Sequence, residues 1–148
     1  MSLFLLSILR KLISWWYNVR SSSRNNSQRQ KILICQRPAN KDLGLLWEFP
    51  GGKIEAGETG EQAVIRECRE ELGATLKINS SFMDVIHEYP DRTVHLSVYN
   101  CSPTDGEPVR LEHNDMQWIT ASECGKFEFC PADAEIICRL TNGVYDYF

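Results

Sequence analysis

The clearest periodic pattern in the chain predicts a helix between Thr59 and Gly73. Apolar side chains recur there at helical spacing and share one face: Val64, Ile65, Cys68 and Leu72. Thr59 is a residue type favoured at the N-cap, and Gly73 is the type that commonly ends a helix. A single apolar face between two such ends indicates a helix packed on a core.

Apolar runs and alternating patterns predict strands on both sides of this helix. The run before Pro38 is long and apolar enough for a buried strand, and the turn at Pro90 and Asp91 joins two alternating segments into a hairpin. The predicted strands are residues 31–37, 75–78, 83–89, 93–101 and 117–120. A helix-start signal follows at Thr120, and Pro131 opens a last helix that ends near Leu140. The pattern therefore predicts mixed strands with two or three helices.

The first residues have a different character. Residues 3–17 are strongly apolar but are interrupted by Arg10 and Lys11, which makes the run too short and too charged to span a membrane. No basic region precedes it, so it is a poor signal peptide. The aromatic group at residues 15–17 would suit an interfacial membrane helix, a helix docked on the domain or another subunit, or a poorly ordered end. We therefore divide the chain into an apolar segment, 1–22, and a domain, 23–148.

Length, charge and cysteine usage narrow the class of protein. The chain has 148 residues, which is enough for one domain with a real core. Its 16 basic and 20 acidic residues leave no basic excess, so binding to nucleic-acid polymers is not expected. The six cysteines form no C-x-x-C pair, which favours reduced thiols in a cytoplasmic protein. Monomer and dimer both remain open.

Three carboxylates on a second face of the predicted helix carry the candidate chemistry. Glu67, Glu70 and Glu71 stand at spacings i, i+3 and i+4, where like charges repel one another. A hard divalent cation with oxygen ligands would offset the repulsion, and Glu58 could add a fourth carboxylate. The alternative is a solvated acidic face with Arg66 and Arg69 as ion-pair partners.

The glycine loop before the helix decides between these alternatives, because loop and helix together resemble the Nudix box. The box has fixed slots, which are filled here by Gly52, Glu58, Arg66, Glu67, Cys68, Glu70, Glu71, Gly73 and Ala74. The resemblance implies an α+β Nudix fold, an α/β/α sandwich with a mixed central sheet. It also implies Mg²⁺- or Mn²⁺-dependent hydrolysis of a nucleoside diphosphate linked to another group.

The same resemblance implies roles within the box. Glu67, Glu70 and Glu71 would bind the metal, with the Gly51 carbonyl as a further ligand. Arg66 would orient the carboxylates, and Glu58 would support the loop or an outer coordination shell. The resemblance does not identify which glutamate acts as the base.

Motifs outside the box resemble the MutT-type subgroup, which converts nucleoside triphosphates to monophosphates and pyrophosphate. They include residues 36–38, 47–55, 89–92 and 131–133. By matching positions, Arg37 would contact the nucleotide, Phe49 would border its base or sugar, and Arg92 would line its pocket. Glu112 would lie near the metals. Phe49 could equally be a core aromatic and Arg92 a surface turn residue; the three histidines, including His113, are expected to be structural or solvent-facing.

Asp133 gives the most specific expectation about the base. The subgroup with Ala-Asp at this place resembles CTP pyrophosphohydrolases, which also accept modified and oxidised nucleotides, whereas enzymes for 8-oxoguanine typically have Asn. An ionised carboxylate only accepts hydrogen bonds and therefore suits the amino group of cytosine. The alternative is that Asp133 only supports a helix N-terminus.

One part of the family pattern is not met. Nudix domains usually have an apolar strand just before the strand predicted at residues 31–37, but residues 18–23 are mostly polar. Either residues 15–19 supply a shortened strand, or the first strand is missing and leaves an exposed sheet edge. A Nudix enzyme for another diphosphate and a non-catalytic binding module are the remaining alternatives.

Overall fold

The computed structural model describes the backbone of residues 8–13 and the whole of residues 31–105 and 107–142.

Helix α1, Gly60–Leu72, begins and ends where the sequence predicts. The Thr59 hydroxyl accepts a hydrogen bond from the Gln62 backbone N–H, and the Gln62 side chain accepts one from the Thr59 N–H. Gly73 ends the helix in the left-handed conformation, with a φ of 61°. Both ends of α1 are therefore fixed by local hydrogen bonds.

In the described residues, seven strands form two sheets. The first is mixed and has the order β4 (Gly51–Lys53), β1 (Ile8–Ile13), β6 (Arg92–Asp105) and β5 (Thr75–Tyr89); only β1 and β6 run parallel. The second is antiparallel, in the order β3 (Trp47–Glu48), β2 (Ile32–Gln36) and β7 (Asp115–Ile119). The two predicted segments at residues 75–78 and 83–89 are one long strand, whose pairing is interrupted by register shifts.

The chain contains its first strand, but in an unexpected place. Ile8–Ile13 is a strand and not part of a helix, so the helical interpretations of residues 3–17 are wrong for these six residues. The strand lies between β4 and β6 and belongs to the sheet, which is therefore not missing this member. The alternative strand at residues 15–19 lies outside the described residues, and the boundary at residue 22 remains a prediction.

Strand β2 is buried on both faces, which explains its continuous apolar sequence. Ile32 and Ile34 point into one cluster of buried residues, which also contains Ile136 and Leu140 of helix α2 (Ala134–Thr141). Leu33 and Cys35 point into a second cluster. That second cluster contains the buried face of α1, so the two helices cover opposite faces and the expected α+β Nudix sandwich is confirmed.

The helices that follow β7 are shorter than the sequence predicts. A 3₁₀ helix, Ala121–Lys126, follows the start signal at Thr120, and a 3₁₀ turn, Pro131–Asp133, precedes α2. Among the described residues no helix is long and apolar enough to cross a membrane. All six cysteines are free thiols, and only Cys138 is exposed.

Candidate active site

Arg66 is the centre of a charge network at the first half of α1. Its Nε and Nη2 donate to the two Glu58 oxygens at 2.5 and 3.0 Å. Its Nη1 donates to Glu67 Oε1 at 2.9 Å and to Glu70 Oε2 at 3.3 Å. Nη2 also donates to the backbone carbonyl of Lys53. The arginine thus ties the glycine loop to two of the three helix carboxylates, as the resemblance implies.

The ionisation of these groups follows from their contacts. Hydrogen bonds from Arg66, followed by one from the Glu55 backbone N–H, lower the pKa of Glu58 to about 2. The hydrogen bond to Glu58 raises the pKa of Arg66. Burial raises the pKa of Glu67, and Arg66 partly offsets that effect. Glu58 is therefore a fixed anion that holds Arg66, whereas Glu67 is a half-buried carboxylate whose charge needs further stabilisation.

Gly52 allows the loop to approach α1 closely. A Cβ atom built on Gly52 would overlap the carboxyl group of Glu67. Glu67 therefore lies directly against the backbone of β4, beside Gly51, which was predicted to offer its carbonyl to the same metal ion. Only a residue without a side chain leaves room for this arrangement.

We expect Gly52→Ala to lower kcat by about tenfold, because the added methyl group must displace the Glu67 carboxylate, and misplaced catalytic groups lose rate steeply. Steady-state hydrolysis assays measure the effect. Gly125→Ala is the matched control, because a Cβ at Gly125 would contact nothing within 4 Å. Equal rates in both variants would show that the close approach has no catalytic role.

The second half of α1 faces two residues whose positions the sequence did not reveal. His113 is buried, and its Nε2 lies 3.7 Å from Glu71 Oε2 and 3.9 Å from Glu48 Oε1. Burial, then the charges of Glu48 and Glu71, raise the pKa of the neighbouring Cys35 thiol. His113 is therefore not solvent-facing; the structural alternative remains, but the sequence did not predict its position between two carboxylates. The motif at residues 47–55, which contains Glu48, is the one sequence signal that points to this place.

The oxygen donors of the site fit a divalent cation. Carboxylate and carbonyl oxygens are hard ligands, and Mg²⁺ needs only one or two carboxylates when waters and substrate phosphates complete its shell. In residues 31–105 and 107–142, no three His, Cys, Asp or Glu side chains already converge on one metal position. Glu67, which lies against Gly52, and Glu71 nevertheless provide the carboxylate oxygens that such an ion binds. Glu112 is exposed, but its charge contributes to the raised pKa of Glu67, so it lies near the same place.

A cavity of about 280 Å³ opens beside strands β3 and β4. Arg37, Arg92 and Asp133, which were predicted to bind substrate, all line it. The wall also contains Lys53, whose carbonyl accepts a hydrogen bond from Arg66, and Glu48, which is separated from Glu71 of α1 by His113. The structure therefore brings three of the four predicted substrate-binding residues to one cavity.

Phe49 is the exception. It is completely buried, stacks on Phe129 with ring centroids 5.5 Å apart, and is not among the residues that line the cavity. Contact with a base would require it to leave the core. These contacts agree with the alternative interpretation of Phe49, which is that it is an aromatic residue of the core.

The surroundings of Asp133 and Arg92 can be compared with their alternative interpretations, a helix-end residue and a surface turn residue. Asp133 is only 1% exposed and stands at the N-cap of α2, but its side chain makes no capping hydrogen bond there. Arg92 is not a free surface residue, since it pairs with Asp42 and Asp91 and lies over the Tyr89 ring. Both positions are consistent with residues that form a binding pocket.

Comparisons with known proteins agree with this geometry. The Nudix-domain family model matches residues 25–139. An 8-oxo-dGTP diphosphatase of Escherichia coli K12 is 37% identical over 114 residues, which cover 77% of this chain and 88% of the relative. A CTP pyrophosphohydrolase of the same organism is 36% identical over 107 residues, covering 72% and 79%. A solved structure from a study of the Aliivibrio salmonicida and Vibrio cholerae MutT proteins has a TM-score of 0.69 at 28% identity, covering 91% of this chain and 98% of that chain.

The chain belongs to the Nudix hydrolase family. Members of this family generally use divalent metal ions, which agrees with the oxygen donors on α1. Within the family, the two Escherichia coli relatives and the MutT structure agree with the MutT-type subgroup that the motifs outside the box had indicated.

Proposed function

We propose that this protein hydrolyses nucleoside triphosphates to monophosphates and pyrophosphate, with Mg²⁺ or Mn²⁺ as cofactor, and so removes unwanted nucleotides from the cytoplasmic pool. The observation that carries the proposal is that two residues of the cavity wall contact the charged site on α1: Lys53 through Arg66, and Glu48 through His113, which lies beside Glu71. The names of the two Escherichia coli relatives support the same substrate class. Six free thiols are typical of a reducing compartment.

Each group of residues has a distinct task in this proposal. Glu67, Glu70, Glu71 and the Gly51 carbonyl would hold the metal, with Glu112 close by. When bound, the cation neutralises phosphate oxygens and lowers the pKa of a water nucleophile. Arg66, held by Glu58, keeps Glu67 and Glu70 in place.

The cavity residues would bind the nucleotide itself. Arg37 and Arg92 offer guanidinium groups to phosphate or base oxygens, and Asp133 offers an acceptor to an exocyclic amino group. Asp133 is almost completely buried, which would strengthen such a hydrogen bond.

Pyrophosphate release from standard, methylated and oxidised nucleotides, with and without Mg²⁺, tests the proposal. We expect release from triphosphates only when a divalent cation is present. Hydrolysis of nucleotide sugars or dinucleoside polyphosphates in preference to triphosphates would identify a different Nudix substrate. Nucleotide binding without turnover would identify a non-catalytic module.

Asp133 leads to a prediction about the base. Cytosine triphosphates, including 5-methylated ones, should be hydrolysed better than UTP or GTP, because the carboxylate accepts from the N4 amino group. Asp133→Asn should lower kcat/KM for CTP relative to UTP by about tenfold, the value of one good hydrogen bond. Competition assays with paired nucleotides measure the ratio.

Glu135→Asn is the control, since Glu135 is an exposed acidic residue in the first turn of α2. If the parent enzyme treats CTP and UTP alike, or if the Asn variant keeps its selectivity, Asp133 does not read the base. Better hydrolysis of 8-oxo-dGTP than of every pyrimidine would favour the activity named for the other relative.

A further inference from the structure

Glu48 is a buried carboxylate to which neither the Nudix box nor the predicted substrate contacts give a task. It lies in the two-residue strand β3 and is only 6% exposed, yet it forms part of the cavity wall. Taking a carboxylate out of water is costly unless a partner compensates its charge. The neighbours of Glu48 therefore decide what this carboxylate does.

The principal neighbour is Arg37. Its Nη1 donates to both Glu48 oxygens, at 3.2 and 3.1 Å, and the same guanidinium donates through Nε to the Asp42 carbonyl at 2.7 Å. The two acceptors belong to separate segments, because Glu48 is in strand β3 and Asp42 is in the loop after Pro38. Together they fix the orientation of the guanidinium plane in the cavity wall.

The backbone supports the same arrangement. Cys35 and Glu48 are register partners in the pairing of β2 with β3, so Glu48 is anchored next to the end of the strand that leads to Arg37. Arg37 itself is held at the loop entrance, where its N–H donates to the Leu46 carbonyl and its carbonyl accepts from the Leu45 N–H. Both partners thus stand on fixed backbone, and their side chains meet across it.

We propose that Glu48 is a positioning residue that holds the Arg37 guanidinium ready for the phosphates of the nucleotide. This inference rests on the proposed function only for the identity of the ligand. Glu48 also carries a negative charge beside an anion site, so its effect on binding must change sign when Arg37 is absent. With Arg37 present, Glu48 supports binding; without Arg37, its negative charge beside the anion site opposes binding of the triphosphate.

Steady-state kinetics of a double-mutant cycle tests this sign change. We expect Glu48→Gln to raise KM for the preferred triphosphate by about tenfold with kcat within about twofold, as for the loss of binding made equally in ground and transition states. In an Arg37→Gln background, Glu48→Gln should lower KM instead. Glu107→Gln, the same change at an exposed carboxylate, should alter neither constant.

A second variant of Glu48 separates the loss of its contact with Arg37 from a folding defect. Glu48→Asp keeps the charge but withdraws the carboxylate by one methylene, so it should also raise KM. A KM unchanged in both Glu48 variants, or an increase of the same size with and without Arg37, would overturn the positioning role. A fall in kcat alone would instead point to a catalytic or purely structural role for Glu48 and would also overturn it.

A spectroscopic measurement separates this inference from the proposed function. The ¹⁵N–¹H signal of Arg37 Nε, assigned by its loss in Arg37→Lys, should shift or broaden in Glu48→Gln and stay in place in Glu107→Gln. An unmoved signal would refute the positioning role even if triphosphates are hydrolysed. A shifted signal in a protein that hydrolyses no triphosphate would leave the Glu48–Arg37 arrangement standing while the proposed function fails.

Discussion

Replacing Glu71 or Glu70 with Gln should lower kcat by about 10² or more while the fold persists. The change removes one charge and keeps the shape of the side chain, so a loss of this size is expected if the replaced residue is the proposed metal ligand that acts in the transition state. The Glu71 side chain is 17% exposed and faces buried His113, whereas the Glu70 side chain is 57% exposed and pairs with Arg66. We therefore expect the larger loss at Glu71.

Pyrophosphate release over a series of Mg²⁺ concentrations is the measurement, with circular dichroism to show that each variant is folded. Glu61→Gln is the control, since Glu61 lies in the first turn of α1 and is exposed. Near-parent activity of both variants at low Mg²⁺ would show that these two helix carboxylates do not bind the catalytic metal ion.

Deleting residues 1–22 should abolish the soluble, folded enzyme. The deletion removes β1, which pairs along six residues with β6 and along three with β4. Two strands would then present unpaired backbone groups where the sheet is now continuous, which is costly and promotes aggregation. Strand β4 also carries Gly51 and Gly52, and Gly52 lies against the Glu67 carboxyl group. Without β1, the backbone that positions Glu67 would lose its neighbouring strand.

Deleting only residues 1–7 is the matched control, because it leaves Ile8–Ile13 in place. Solubility, thermal unfolding and hydrolysis should stay close to those of the full chain in this control and be lost in the longer deletion. A chain starting at Ser23 with the parent's melting temperature and turnover would contradict the sheet position of β1 and restore the interpretation of residues 1–22 as an appendage.

The sequence alone determined helix α1 and the composition of the charged site. The capping pair of Thr59 and Gln62 and the stop at Gly73 are local, and the 3.6-residue period decides which side chains share a face. The same locality places Glu67 and Glu70 within reach of Arg66, which sits one and four residues away. Strand β2 was equally predictable, because burial on both faces leaves a continuous apolar run.

Only the tertiary structure decided which distant residues meet. The apolar run of residues 3–17 carries no mark of its partners, and pairing between Ile8 and Thr93 spans most of the chain. Likewise, His113 meets Glu48 and Glu71, and Glu48 meets Arg37, because the sheets and the loop after β6 converge there. Phe49 is buried for the same reason. Such contacts depend on strand register and on the packing of separate elements, neither of which a local pattern specifies.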